Sequence, residues 1–293
     1  MIKKLTVFTP TFNRAGLLPK LYWSLCSQTQ KDFIWLIIDD GSSDGTRALV
    51  QKWISQNKIE INYHFKKNGG MHTGHNAAYR LIETELNVCI DSDDYMPTNA
   101  VEVILKTWDS ITDKTRIAGI IGLDIDINGN VIGSKIPKTT ERGSLQDLYK
   151  KYKVTGDKKL VLRSDIVRKY SSYPEYKNEK LVPLGILYLA IGKDYDFHYS
   201  NEIFCIVEYQ NEGSSNTILR QYKKSPLGFA YARTVQIKFA ISWKDLFMAY
   251  MHLVSSSIFA KDFSLLWKSV NPLMSLLAFP FGVVLNIWIR IKA

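Results

Sequence analysis

Two acidic clusters in this chain of 293 residues have the residue types and spacing for metal and phosphate chemistry. Asp39-Asp40-Gly41-Ser42-Ser43-Asp44-Gly45 follows the apolar run Phe33 to Ile38, and Asp91-Ser92-Asp93-Asp94 follows Asn87 to Ile90. Carboxylates gathered at one edge repel each other unless a cation sits among them. Hard oxygen ligands suit Mg²⁺ or Mn²⁺, which commonly join one or two carboxylates to substrate phosphates. In an extended loop Asp91 and Asp93 lie on one side, so one can take a metal and the other a sugar hydroxyl. Asp and Ser also build ordinary turns. The chemical reading is preferred because both clusters stand where strands should end.

A third stretch, Asn68-Gly69-Gly70-Met71-His72-Thr73-Gly74-His75-Asn76, allows a backbone to approach a ligand closely at its glycines. Gly74 is expected to lead a helix whose N-terminus favours anions. His72 and His75 are read either as ligands or donor contacts, or as capping and packing residues. Cys26, Cys89 and Cys205 contain no CxxC pair, which speaks against a disulfide framework or a zinc cluster and for reducing surroundings.

The elements that must position these groups alternate between short apolar runs and amphipathic stretches, as in an α/β fold with a mainly parallel central sheet flanked by helices. Strands are expected at 5–9, 33–38, 61–65, 87–90, 160–162 and 203–209, and helices at 17–27, 46–54, 74–83 and 181–191. Pro97 should open a further helix. Asn128-Gly129-Asn130 should turn a hairpin between 117–127 and 131–136. In such sheets ligands bind beyond the carboxyl ends of the strands.

Thr9-Pro10-Thr11-Phe12-Asn13-Arg14, then Ile38 to Thr46, then Asp91 to Asp94 occur in order at suitable spacing. Together they resemble the inverting glycosyltransferases of family 2, which have the nucleotide-diphospho-sugar transferase fold called GT-A. The resemblance is strong over residues 4 to 110 and weaker to 215, and implies a catalytic domain over 1–220. It implies that Pro10, Thr11, Asn13 and Arg14 lie against nucleotide base and diphosphate, and that Asp39 and Asp40 serve the base or ribose. Asn68, Gly70, Asn76, Asp91 and Ser92 would complete the donor site, with Asp93 as ligand of Mn²⁺ or Mg²⁺. Met71 departs from the lysine or arginine frequent there. The family's base comes from an acidic motif well beyond the DxD, best matched by Asn178-Glu179-Lys180, with Lys180 in place of an aspartate. Glu179 is therefore the expected base, ahead of Asp165, Asp194 and Asp196. The processive QxxRW motif is absent, which implies single-sugar addition.

The net charge of +10 is unevenly spread: from Arg220 onward ten Lys or Arg face only Asp245 and Asp262. The excess accompanies Trp243, Phe247, Tyr250, Met251 and Phe259, and the uncharged run Ser269 to Ile289 follows. Basic and apolar together point to an anionic membrane surface, with no role for nucleic acid. Residues 221–293 are read as a helical membrane-association region lying on the cytoplasmic face, peripheral or monotopic, in preference to a span. The run Leu5 to Thr9 is too short for a secretory leader.

The expected activity is transfer of one hexose or N-acetylhexosamine, from a nucleotide-diphospho-sugar (UDP-sugar first) to a lipid-linked glycan in cell-surface polysaccharide synthesis. The alternatives are a phosphotransfer domain, which would need a nucleophilic aspartate and a downstream lysine, and a catalytically inactive membrane adaptor that binds nucleotide.

Overall fold

Continuous apolar runs become strands covered on both faces. β1 (Leu5–Thr11) is buried throughout and β2 (Phe33–Asp39) nearly so, as expected of central strands between helical layers. The computed structural model describes residues 3–170, 172–208 and 218–293. Their contacts divide into two units, 3–170 with 191–208, and 172–190 with 218–293.

In the first unit β1, β2, β3 (Ile61–Phe65) and β4 (Leu86–Cys89) are parallel neighbours. β5 (Ile117–Ile125), β6 (Arg142–Gly143), β7 (Lys158–Arg163) and β8 (Asp196–Ile206) extend the sheet in the order β3-β2-β1-β4-β7-β5-β8-β6. β7 runs antiparallel between β4 and β5, so its first residues reach the carboxyl ends of its neighbours. The chain crosses from β1 to β2 on one side and returns to β4 on the other, which makes a topological switch point beside β1.

Helices α1 (Leu18–Cys26) and α2 (Thr46–Gln56) present apolar faces to this sheet. Tyr22 of α1 stacks on Trp53 of α2 with ring centroids 4.3 Å apart, and both lie near Trp35 of β2. Such ring pairs contribute about 1 kcal/mol beyond area burial. They hold the two helices on one face, so the loops that enter them emerge at the same sheet edge. α3 (Met71–Leu81), α4 (Ala100–Ser110), α5 (Leu145–Lys150) and α6 (Ser164–Tyr170) complete this part.

Four local readings differ from expectation. α3 begins at Met71, because Gly70 at φ 95° turns the chain into the helix; Gly74 lies inside it, where a Cβ would stand 3.1 Å from Pro10. Val131 to Ile136 is not a strand, since Gly133 takes φ 74° and the Lys158 ammonium collects the carbonyls of Ile132, Thr155, Gly156 and Asp157. Pro97 precedes α4, its carbonyl accepting the Ala100 N–H. The last strand starts earlier, at Asp196, and Tyr209 of the expected strand lies outside the described residues.

The second unit holds most of α7 (Gly185–Asp194), then α8 (Ile218–Lys224), α9 (Pro226–Lys238), α10 (Trp243–Ala260), α11 (Ser264–Trp267) and α12 (Pro272–Lys292). α10 and α12 meet along an unusual seam. Ser255, Ser256, Ser257, Ser275 and Asn286 are buried, and the Asn286 amide donates to the Ser255 carbonyl at 3.1 Å. Gly282 admits Val254 where a side chain would collide. Outward, Leu273, Leu276, Leu277, Val284 and Ile291 are between 63% and 75% exposed. Leu253, Val254, Met274 and Ala278 are buried in the same unit, so small and polar residues share its interior with apolar ones while a second apolar set faces outward.

Candidate active site

The loops after β1 and β2 are tied to each other before any ligand enters. Asn13, at φ 53°, donates its backbone N–H to Ser42 Oγ at 2.8 Å and accepts the Ser43 N–H at 2.8 Å. Asp44 accepts N–H groups from Ala15 and Thr46 at 3.1 and 3.0 Å. Arg14 and Phe12 remain exposed at this edge, while Thr11 is buried under it.

Asp39 and Asp40 hold the edge together. Asp39 is fully buried and accepts the Ser42 N–H at 2.7 Å and the Tyr63 hydroxyl at 2.6 Å. Asp40 accepts the N–H groups of Gly69 and Gly70 at 2.9 and 2.7 Å, and pairs with the Lys66 ammonium. The Asn68 amide returns to the Asp40 carbonyl at 2.8 Å. The structure brings Asp40, Asn68 and Gly70 together, with the carboxylate bracing the glycine turn. Asn76 lies buried on α3 behind that turn.

At the end of β4, Asp91 and Asp93 are half-buried and Ser92 and Asp94 buried. Burial, then the charge of Asp91, raises the Asp93 carboxyl, against Arg14 and Lys159. Asp94 is pushed up to about 7, chiefly by burial, with Lys159 opposing. Asp94 also accepts the Glu208 N–H at 3.2 Å. Behind it the Lys159 ammonium lies 3.9 Å from Asp94 and 4.0 Å from Asp124. Burial opposes the charge of Lys159, but Asp124, Cys205, Asp91 and Asp94 outweigh it and the pKa rises. Asp124 Oδ1 is sealed from solvent without a hydrogen bond. Neither Lys159 nor Asp124 was singled out in the sequence.

His75 faces the back of the same loop, its Nδ1 3.1 Å from the Tyr79 hydroxyl and its Nε2 3.7 Å from Cys89 Sγ. Cys89 in turn points at Asp91 Oδ1, 3.8 Å away. His72 and His75 are both buried, which favours their packing role. Burial pulls the His75 pKa down to about 4, with Asp91 opposing. Because the unfolded chain takes that proton near 6.5, stability should fall as pH drops from 6.5 through 4, by about 3 kcal/mol. His75→Gln should flatten that part of a pH series of urea midpoints; an unchanged slope would place the acid sensitivity elsewhere.

Glu179 belongs to the second unit. Its two oxygens accept the N–H groups of Leu227 and Gly228 at 2.9 and 2.8 Å, in the first turn of α9. Burial raises its pKa against those two bonds. Asp165 is held by both guanidinium arms of Arg163, Asp194 accepts the Tyr170 hydroxyl at 2.6 Å, and Asp196 lies 3.7 Å from Arg142.

The model of the family described as glycosyl transferase family 2 matches residues 6–168, more than half of the chain, from β1 past Lys159. The chain belongs to glycosyl transferase family 2. With that, the phosphotransfer reading falls. Chondroitin synthase of Pasteurella multocida is 32% identical over 114 residues, 39% of this chain and 12% of that one. A Campylobacter jejuni enzyme, GalNAc(5)-diNAcBac-PP-undecaprenol beta-1,3-glucosyltransferase, is 32% identical over 105 residues, 35% of this chain and 34% of its own. The matches thus span well under half of each relative. Among solved structures, Staphylococcus aureus TarS 1-349 in complex with UDP-GlcNAc has a TM-score of 0.62 at 16% identity, covering 98% of this chain and 89% of that one. The mannosyltransferase PcManGT of Pyrobaculum calidifontis, in complex with GDP-Man and Mn²⁺, gives 0.56 at 14% identity over 99% and 82%. This family 2 member has the GT-A fold, with its mixed, mostly parallel sheet flanked by helices and a long apolar C-terminal helix.

Proposed function

We infer that this family 2 member is an inverting glycosyltransferase that moves a single sugar from a nucleotide-diphospho-sugar, a UDP-sugar first, to a lipid-linked glycan. The observation that carries this reading is the convergence at the switch point of the tied Pro10–Arg14 loop, the Asp40-braced glycine turn and Asp91 to Asp93. UDP-GlcNAc in TarS supports the donor class, and the named undecaprenol-linked substrate of the Campylobacter relative supports the acceptor class. The setting would be cell-surface polysaccharide synthesis.

The residues present fit a divalent ion. Asp93 carries a carboxylate made uncomfortable by burial and by Asp91, the condition a hard cation relieves. Among the described residues no group of three His, Cys, Asp or Glu is built to hold a metal, and Mg²⁺ or Mn²⁺ sites completed by substrate phosphates need only one or two carboxylates. Asp93 would hold the ion, with Asp91 and Ser92 beside the ribose or donor sugar. The ion would supply neutralising charge to the departing diphosphate. Arg14 adds a cation at the same edge, and the N–H groups of the glycine turn are already aimed by Asp40. Glu179, with its raised pKa, would take the acceptor hydroxyl's proton as that oxygen attacks the anomeric carbon.

Calorimetric titration of UDP, GDP and dTDP with and without Mn²⁺ tests the donor reading. One nucleotide should bind in a metal-dependent way; no binding of any of the three would overturn the donor reading. Glu179→Gln should keep donor affinity and lower transfer about 100-fold or more. Transfer left intact would reduce Glu179 to the brace of α9.

The second unit would seat the enzyme at the cytoplasmic membrane face. α12 is 21 residues long and apolar enough to cross a bilayer, but its polar seam against α10 and the cationic balance from Arg220 onward favour a pair lying in the anionic surface. Each exposed Leu withdrawn from lipid removes roughly 2 kcal/mol. Leu276→Glu with Leu277→Glu should therefore lower partition into anionic vesicles about 100-fold or more in a flotation assay. Unchanged flotation would move the contact elsewhere.

A further inference from the structure

Among the described residues, no opposite charge pairs with one guanidinium of the helical unit. Arg233 of α9 donates to Gln236 Oε1 at 2.6 Å and to the Tyr222 hydroxyl at 3.1 Å, both neutral groups. Its Nε is closed off from solvent and has no hydrogen-bond partner. Among the described residues Arg233 makes no ion pair, although the chain forms ion pairs readily elsewhere. The ring of Tyr222 lies 5.8 Å from the guanidinium carbon, and the ring of His252 of α10 is tilted against it at 5.7 Å. The ring of Phe229 is tilted against Tyr222 at 4.3 Å. Lys223 and Lys224 stand exposed beside Tyr222 on α8. A charge withdrawn from water is costly unless an opposite charge meets it. A methionine would fill this place without that cost.

We propose that Arg233, Tyr222 and His252 form a receptor for a phosphate-bearing anion, with the phosphate of a membrane lipid as the ligand to which the rest of the unit points. A guanidinium suits phosphate because its paired N–H groups match two oxygens in one plane. The Tyr222 hydroxyl has its own proton to donate once it has accepted from Arg233. Neutral Gln236 gives way to an anionic acceptor without leaving a buried charge behind. The lipid source rests on the membrane reading of α12, whose apolar outer face belongs to this same unit. The anion chemistry rests on Arg233 alone.

Flotation of the full chain on three kinds of vesicle tests this: phosphatidylcholine alone, with phosphatidic acid, and with oleate at equal charge. The wild type should prefer phosphatidic acid to oleate. Arg233→Met should weaken that preference about tenfold, as loss of a charge-assisted contact does. Failure of α12 to engage membranes would instead remove binding to all three. The melting temperature in buffer should hold or rise in Arg233→Met, since an unbalanced charge is gone. Inorganic pyrophosphate that raises the melting temperature of the wild type alone would support the same site with a soluble phosphate as its ligand. A preference for phosphatidic acid undiminished in Arg233→Met would overturn the proposal. So would a lower melting temperature with an undiminished phosphate response, the mark of a structural arginine. Should Arg233→Met not fold, Tyr222→Phe keeps the arginine and removes a donor; its preference should fall several-fold, and an unchanged preference overturns the proposal equally.

Discussion

Replacing Asp93 with asparagine is expected to lower sugar transfer by about three orders of magnitude and to leave the chain as stable as before. The two halves of that expectation come from one observation. Asp93 is half-buried beside Asp91, and both burial and that neighbour raise its pKa. The unliganded fold therefore gains nothing from its negative charge, and asparagine relieves the repulsion at almost constant shape. The departing diphosphate, in contrast, needs the charge that this carboxylate would recruit. Steady-state transfer, Mn²⁺-dependent UDP binding and thermal melting, measured on the same preparation, read all three terms. A variant that still bound UDP only with metal would show that the ion is held elsewhere, and a variant that melted early would show Asp93 to be structural.

Lys159→Met should act in the opposite way, through the fold. The ammonium stands between Asp94 and Asp124, both buried, and is within 4.0 Å of each. Removing one member of a buried charge cluster costs about 3–5 kcal/mol, because the rest are left unbalanced. The loss should be read in denaturant unfolding at pH 7 and should shrink as the pH is lowered. The sign follows from the direction of the shifts: both carboxyls are raised in the fold, so the folded state holds protons that the unfolded chain has released. Stability then rises as pH falls toward their unfolded value. Adding Asp124→Asn should restore part of the loss. A cost below about 1 kcal/mol would mean that the two acids are already neutral beside the lysine.

The edge where the loops after β1, β2 and β4 gather was legible in the sequence because its parts are local. Strand ends, a proline loop, two glycines and a DxD are each recorded within a few residues, and their order along β1, β2 and β4 suffices to gather them at one edge. Lys159 was not legible, because its partners come from the loop after β4 (Asp94) and from β5 (Asp124) and meet it only through the antiparallel placement of β7. The expected strand at 131–136 failed for a similar reason. The Asn-Gly turn formed, but Gly133 and the distant Lys158 then took the backbone away from β5. Glu179 was singled out by its place before α7, and its hydrogen bonds run to α9, some fifty residues on. Arg233 looked like one cation among ten until its neighbours proved to be a tyrosine, a glutamine and a histidine.

The seam between α10 and α12 has a consequence for how the chain exists outside a cell. The serines and the asparagine of the seam gain little from leaving water, and although Leu253, Val254 and Met274 are buried within the unit, Leu273, Leu276, Leu277 and Val284 face outward. In plain buffer those side chains must find one another, so copies of the chain should associate through them. The particle sizes obtained would depend on protein concentration and would collapse to a single species on addition of mild detergent. An assembly observed without lipid would thus measure how the molecule hides its outer coat, while the number of copies that work together would be read only once that coat is covered.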